Sequence, residues 1–199
     1  MVSGARVLLL GSSQTPQKVR DLCVDSDFFT EPITEEDIKG PQADVIVSFG
    51  YRHVIPSPVL SACICPLVNV HISLLPWNRG ADPNFWSWVE NTPKGVSVHR
   101  IIEGLDKGEI FAQESLDISK VHTLRSSYDL LIRTATDLLL DSLPAIASHV
   151  ASTSDQVGVG SYHRAADKEA HMAALTHGYD TRCDDLLRYG ERHGLWRDV

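Results

Sequence analysis

No apolar run in the chain approaches the ~20 residues that a membrane-spanning helix needs. The apolar stretch near the start, Val7 to Leu10, is too short for a secretion signal and is expected to be a first buried strand. Basic clusters are missing as well. No four Lys or Arg stand together and the formal net charge is -8, a balance that argues against unspecific binding to nucleic acid or to an anionic membrane. Cys23, Cys63, Cys65 and Cys183 form no C-x-x-C pair, so reduced thiols in a cytoplasmic protein are the expectation. His163, His171 and His177 of the tail match no helical ligand spacing, and no metal is expected. The Gly-rich dinucleotide fingerprint is also absent, because the first turn reads Gly11-Ser12-Ser13. That excludes an oxidoreductase built on this motif.

What is present suits a single folded domain with a small appendage. The 199 residues are 43% hydrophobic and 22% charged, enough to bury a full core. Apolar runs at Arg6–Leu10, Asp44–Phe49 and Pro66–Val70 predict strands covered on both faces. Helical spacing follows Pro16, and a short helix is expected near Thr34–Ile38. Gly95–Ile102 and Glu109–Leu116 predict a hairpin through a Gly-flanked turn. Thr123–Val150 reads as one long amphipathic helix, or as two meeting at Pro144. The fold class expected is α/β, a Rossmann-like, mostly parallel twisted sheet with an antiparallel extension and a short helical C-terminal appendage. Residues 1–150 are expected to form the catalytic domain, and 151–199 a linker followed by helices near Asp167–Leu175 and Asp180–His193.

One segment concentrates chemistry. Asn69 and His71 stand two apart where the third strand ends, so both project to one face. Ligands of such sheets collect beyond the carboxyl ends of the strands. Asp106 follows 35 residues after His71, in the hairpin turn, where a carboxylate can fold back toward the imidazole. An amide, an imidazole and a carboxylate in one crevice suit acyl transfer: the first two stabilise an oxyanion and the third orients and charges the imidazole. A histidine at its reference pKa of about 6.5 is mostly neutral at pH 7, so a cationic role requires the carboxylate.

Three blocks give these residues a context: Asn69-Val70-His71-Ile72-Ser73-Leu74-Leu75-Pro76-Trp77-Asn78-Arg79-Gly80, then Gly95-Val96-Ser97-Val98-His99, then Glu103-Gly104-Leu105-Asp106-Lys107-Gly108-Glu109-Ile110. Their order and spacing resemble the 10-formyltetrahydrofolate-dependent formyltransferase superfamily over roughly residues 5 to 150, nearest to the amino-sugar N-formyltransferases. The resemblance implies that Asn69, His71 and Asp106 are catalytic, that 10-formyltetrahydrofolate is the formyl donor, and that a primary amine attacks its formyl carbon. It implies a folate pocket walled by Phe49, Tyr51, His53, Val54 and Ile55 on one side and by Ile102, Glu103, Gly104 and Leu105 on the other. No nucleophilic side chain is required.

The acceptor is less sharply written. Arg79-Gly80-Ala81-Asp82-Pro83-Asn84-Phe85-Trp86 and the tail block Gly160-Ser161-Tyr162-His163-Arg164 resemble the amino-sugar enzymes, which implies a nucleotide-linked amino sugar. Glycinamide ribonucleotide, another small amine, water, or a folate-binding role without turnover stay open as alternatives. Methionyl-tRNA is disfavoured, because enzymes acting on it carry a further C-terminal domain and this chain is acidic. Possible acceptor contacts are Gly11 and Ser12 as a phosphate cradle, Ser73 as a turn cap or an acceptor contact, Arg79 toward a phosphate or carboxylate, and Asp82 toward a substrate ammonium. His99 and the tryptophans Trp77, Trp86 and Trp88 read as structural. A homodimer is left open.

Overall fold

The computed structural model describes residues 4–39, 43–118 and 121–199. Among these described residues eight strands and six α-helices follow one another: β1 (Val7–Leu10), α1 (Gln17–Arg20), β2 (Phe28–Phe29), α2 (Glu35–Lys39), β3 (Val45–Phe49), α3 (Ser57–Ala62), β4 (Leu67–His71), β5 (Arg79–Gly80), α4 (Pro83–Val89), β6 (Gly95–Arg100), β7 (Ile110–Ser115), α5 (Leu124–Ala147), β8 (Tyr162–His163) and α6 (Cys183–Arg192). Six strands form one sheet in the order β2-β1-β3-β4-β6-β7. β1 to β4 pair in parallel. β6 and β7 form the antiparallel extension, with the Arg100 amide donating to the Glu109 carbonyl and the Leu116 amide to the Lys94 carbonyl. No helix is long and apolar enough to cross a membrane among the described residues.

The chain folds as two compact units that interleave along the sequence: Met1–His71 with Val98–Ala112 and Thr136–Asp155, and Ile72–Ser97 with Gln113–Ala135 and Gln156–Val199. Contacts thus group the tail with the segment that follows β4, a partition that a reading by sequence position does not reach.

In the first unit β1 and β3 are buried at every position, as expected of strands covered on both faces. Leu8, Leu10, Ile46 and Leu67 pack with Ile33 and Val59 on one side of this sheet. The helix expected after Pro16 is a single turn, closed by Asp21. α5 runs through Pro144 without breaking. Proline sits in its last turn, where only one ladder bond is lost, and buried Leu143 and Ile146 flank it.

The second unit is built on α4 and α6. Phe85, Trp86, Trp88 and Val89 pack with Leu124, Ala174, Cys183 and Leu186. The helices approach so closely that a Cβ at Gly190 would collide with the Val89 carbonyl. Polar groups in this core are relayed in series: Trp88 Nε1 donates to Ser127 Oγ at 2.9 Å, Ser127 Oγ to Asn84 Oδ1 at 2.7 Å, and Asn84 Nδ2 to the Leu124 carbonyl at 2.9 Å. The tail expected as helix near Asp167–Leu175 is a 3-10 run over Ala165–Ala174. Before it, β8 lies parallel to β5.

Glu90 closes this unit. It is 1% exposed, accepts from Arg197 Nε at 2.8 Å, and lies 3.1 Å from His163 Nε2. His163 in turn stacks on Trp86 with centroids 3.9 Å apart and planes 8° off parallel. Burial pushes the Glu90 carboxyl upward, but its close pairing with His163 and its hydrogen bonds from Arg197 outweigh it and hold the pKa below the ordinary value. A depressed carboxylate contributes stability above its unfolded pKa, and that contribution is lost as pH falls through the folded one. Glu90→Gln is therefore expected to lower the unfolding free energy at pH 7 by about 2 kcal/mol, less than a fully buried pair because Arg197 is half exposed. The gap between variant and wild type should narrow below the carboxylate range. Urea denaturation at pH 7 and in acid measures both; an equal gap at the two pH values contradicts the assignment.

Candidate active site

β4 places Asn69 between two neighbours. Its register with β3 sets Asn69 directly opposite Ser48, and Ser48 Oγ donates to Asn69 Oδ1 at 2.9 Å. With its oxygen held by this hydroxyl, the amide turns its NH2 the other way. There Asn69 Nδ2 lies 3.2 Å from Asp106 Oδ1 and 3.2 Å from His99 Nε2. His99 Nε2 is itself 3.3 Å from Asp106 Oδ1, so amide, imidazole and carboxylate form a closed triangle. His71 joins from two residues along the strand, its Nδ1 3.7 Å from Asp106 Oδ2. The rings of His71 and His99 meet edge to face, 6.4 Å between centroids.

His99 Nδ1 lies 2.9 Å from the Arg100 carbonyl. A carbonyl only accepts, so Nδ1 carries a proton; in the neutral tautomer Nε2 is left to accept from Asn69. The two amide hydrogens of Asn69 then have one acceptor each, Asp106 and His99. Both histidines are buried, at 6% and 1% exposure, and a buried imidazole needs such partners.

The hairpin between β6 and β7 delivers Asp106. The residue adopts a left-handed backbone with φ 52, a conformation aspartate tolerates better than most side chains. The base of the hairpin closes on Gly108, where any Cβ would strike the Arg100 carbonyl. Tight closure and a left-handed turn together fold the carboxylate back onto β4.

The three residues expected from sequence thus meet in space, and two more stand with them. His99, read as structural, is hydrogen-bonded to the cluster. Ser48, unremarked in an apolar run, fixes the amide. The signal for His99 was its place on the strand after Ser97; the signal for Ser48 was a lone hydroxyl among Val and Phe.

The residues expected to wall a folate pocket divide. Phe49 is buried in β3, and the hydroxyl of Tyr51 donates to the Glu31 carbonyl at 2.7 Å and accepts from the Ile33 amide. Ile55 packs against the same core cluster, and His53 meets the Tyr51 ring edge-on. Val54, Ile102 and Leu105, by contrast, are 75%, 43% and 47% exposed, and Glu103 and Gly104 are exposed between them. Three large apolar side chains left in solvent on two loops suit a flat, largely apolar ligand.

The expected acceptor contacts are mostly engaged within the chain. The Ser12 amide donates to Thr15 Oγ1 at 2.9 Å, a Cβ at Gly11 would meet that same hydroxyl, and α1 is a single turn. This turn is a connection closed on itself. In the second unit Ser73 Oγ donates to the Trp77 carbonyl at 2.7 Å, which is the turn-capping role. Arg79 donates to the Val159 carbonyl at 3.1 Å, and Asp82 already pairs with Lys168 at 2.6 Å.

Comparison with known proteins places this geometry in a family. The family model described as "Formyl transferase" matches residues 24–143. The methionyl-tRNA formyltransferase of Fusobacterium nucleatum is 36% identical over 112 residues, which is 56% of this chain and 36% of that protein, so the chain aligns with about a third of that relative's length. The crystal structure of the formyltransferase PseJ from Anoxybacillus kamchatkensis, in complex with UDP-4,6-dideoxy-4-formamido-L-AltNAc and tetrahydrofolate, is 34% identical with a TM-score of 0.83, and the match covers 93% of this chain and 99% of that one. The N-formyltransferase of Helicobacter canadensis, solved with folinic acid and dTDP-3-aminofucose, shares the fold at 16% identity, with a TM-score of 0.71 over 98% of this chain and 84% of that one. A family model that covers well over half of the sequence, together with a 34% identical relative aligned almost end to end, establishes that the chain belongs to the formyl transferase family.

Proposed function

We propose that the protein transfers the formyl group of 10-formyltetrahydrofolate to the amino group of a nucleotide-linked amino sugar. The observation that carries the chemistry is the cluster at the end of β4 in which Asn69, His71 and His99 each lie within 3.7 Å of the Asp106 carboxylate. Support for the acceptor comes from the 34% identical structure bound to a UDP-linked formamido sugar and tetrahydrofolate, aligned over 99% of its length. The methionyl-tRNA enzyme is matched over only 36% of its length, and the amino sugar is the better reading. The four cysteines are free thiols, and we place the reaction in the cytoplasm, where thiols stay reduced.

Each side chain has work in this reaction. Asn69 donates to the formyl oxygen as it gains negative charge, swinging one of its two amide hydrogens away from the triangle. His71, protonated and paired with Asp106, adds positive charge beside that oxygen. Asp106 accepts the proton that the attacking amine loses, and the relay through His71 returns a proton to the folate nitrogen as its bond to the formyl carbon breaks. His99 and Ser48 position Asn69. Val54, Ile102 and Leu105 supply apolar cover for the donor.

Two outcomes are expected. Asn69→Ala and Asp106→Asn should each lower kcat by ~10²–10³ while the protein still binds tetrahydrofolate. Consumption of 10-formyltetrahydrofolate, followed by absorbance with nucleotide-linked amino sugars, glycinamide ribonucleotide and water alone, checks this. Turnover with water alone would make the protein a hydrolase, and uptake of the folate without turnover would remove the transferase reading. His99→Gln should lower kcat on the order of 10²-fold, as a slightly misplaced amide does, with KM for the folate little changed. An equal loss in KM and none in kcat would give His99 a purely structural role.

A further inference from the structure

Away from the proposed active site, the segment that enters β4 holds two thiols together. Cys63 follows the last residue of α3 and has an extended backbone, φ -73 and ψ 122. Residues two apart on extended chain project to one side, so Ile64 turns outward, 84% exposed, while Cys63 and Cys65 turn inward. Their sulfurs are 3.9 Å apart, and Cys63 Sγ donates to the Cys65 carbonyl at 3.3 Å. Both thiols line a cavity of about 310 Å³ together with Arg100, Phe111, Ile146 and His149. Neither residue is fully buried, and both border this cavity. The formyl-transfer chemistry uses neither residue.

We propose that Cys63 and Cys65 form an oxidation site for hydroperoxides, in which Cys63 reacts first and Cys65 resolves the product to a reversible disulfide within the chain. In the first step the Cys63 sulfur, having released its proton, attacks the peroxide, an S–O bond forms, the O–O bond breaks, and the departing oxygen takes up that proton and leaves as water, or as an alcohol from an organic hydroperoxide. In the second, the Cys65 sulfur attacks Cys63, the S–S bond forms, and the S–O bond breaks, so that the departing hydroxide and the Cys65 proton leave as water. The two sulfurs together lose two electrons and the peroxide gains them.

Geometry and charge support the order. A disulfide has sulfurs ~2.04 Å apart, so the pair has to close by about 2 Å, within reach of side-chain rotation. A hydrogen bond from Cys65 holds the Cys63 thiol down, to about 7, against the upward push of its burial. The same bond, with burial, pushes Cys65 up. Cys63 is therefore the thiol that gives up its proton more readily and, once ionised, the first nucleophile. Once it is a sulfenic acid it no longer carries the charge that Cys65 was protecting, and Cys65 is released to react. Cys23 is raised by burial and by nearby aspartates, and Cys183 is pushed by burial up to about 12.

The test uses the reduced full-length protein treated with a few equivalents of hydrogen peroxide, alkylated and mapped by peptide mass spectrometry. Expected is one peptide holding a Cys63–Cys65 disulfide, formed before Cys23 or Cys183 reacts and reversed by a dithiol reductant. In Cys65→Ser the reaction should stop at a Cys63 sulfenic acid that dimedone traps. In Cys63→Ser the rate at residue 65 should fall by about 10-fold or more, as thiolate is lost. Earlier reaction at Cys23 or Cys183, or disulfides only between chains, overturns the proposal in wild type alone. Because the readout is covalent and independent of turnover, it stands apart from the outcome for formyl transfer.

Discussion

A polar side chain set among buried neighbours in the middle of a sheet is held by the strands on either side, and this constraint organises the proposed active site. Leu67, Val68 and Val70 of β4 are buried and Asn69 among them is only partly exposed, and the adjacent strands supply its partners. Ser48 of β3 takes its oxygen and His99 of β6 takes one hydrogen. What remains is a single N–H directed at Asp106. The sheet therefore selects the orientation of the amide before any ligand arrives, and preorganised donors of this kind lower the reorganisation that a reaction demands. Removing Ser48 would free the amide to flip, which would aim a carbonyl where the proposed reaction needs a donor.

Much of this was legible in the sequence because it rests on short-range rules. Apolar runs marked β1, β3 and β4, since a strand buried on both faces shows no alternation. The two-residue spacing of Asn69 and His71 fixed their common face. Asp106 was readable from its Gly-flanked turn, which only a hairpin explains. The misses have physical causes. α4 is buried along Asn84–Val89, so it has no polar face and no helical period to read. β5 and β8 have two residues each and are held by pairing between Arg79–Gly80 and Tyr162–His163, a contact across eighty residues that local pattern cannot show. His99 looked structural because a histidine on a strand usually is, and only the position of Asn69 in the adjacent strand gives it a task. The residues that resemblance assigns to the folate divided for a similar reason: their place at or beyond the end of β3 does not say whether a side chain turns in, as Phe49 and Tyr51 do, or out, as Val54 does.

The second unit solves a different problem with the same currency of hydrogen bonds. Its core mixes tryptophans with Asn84, Ser127, Asn78, Thr92 and Ser161, whose side chains are hydrogen-bonded in series: Asn78 Nδ2 donates to Thr92 Oγ1 at 2.7 Å while the Asn78 backbone N–H donates to Ser161 Oγ at 2.9 Å. Networks of this type are costly when half satisfied and specific when complete. They require the tail to be in place, because Ser161, His163 and Arg197 supply partners to Asn78 and Glu90. The tail is thus structural to this unit rather than an ornament on it. It also engages Arg79 and Asp82, two residues that a sequence reading assigns to the acceptor.

β4 joins two chemistries that the strand keeps apart. From Cys65 to Asn69 the chain advances four residues, about 13 Å at the rise of a parallel strand. The charge that Cys63 loses on oxidation is therefore farther from His71 than the ~8 Å over which exposed charges act at physiological ionic strength. Its field alone is too weak to reset the His71–Asp106 pair. Any influence of the thiols on formyl transfer has to pass mechanically, through α3 or along the strand. α3 is short, with a single buried residue, Val59, and it leads back to the loop that bears Val54. A strand locked by ladders on both sides transmits little displacement, whereas a short surface helix yields. Within the proposed site, the loop that bears Val54 is therefore more readily displaced from the side of Cys63 than the Asn69 amide is.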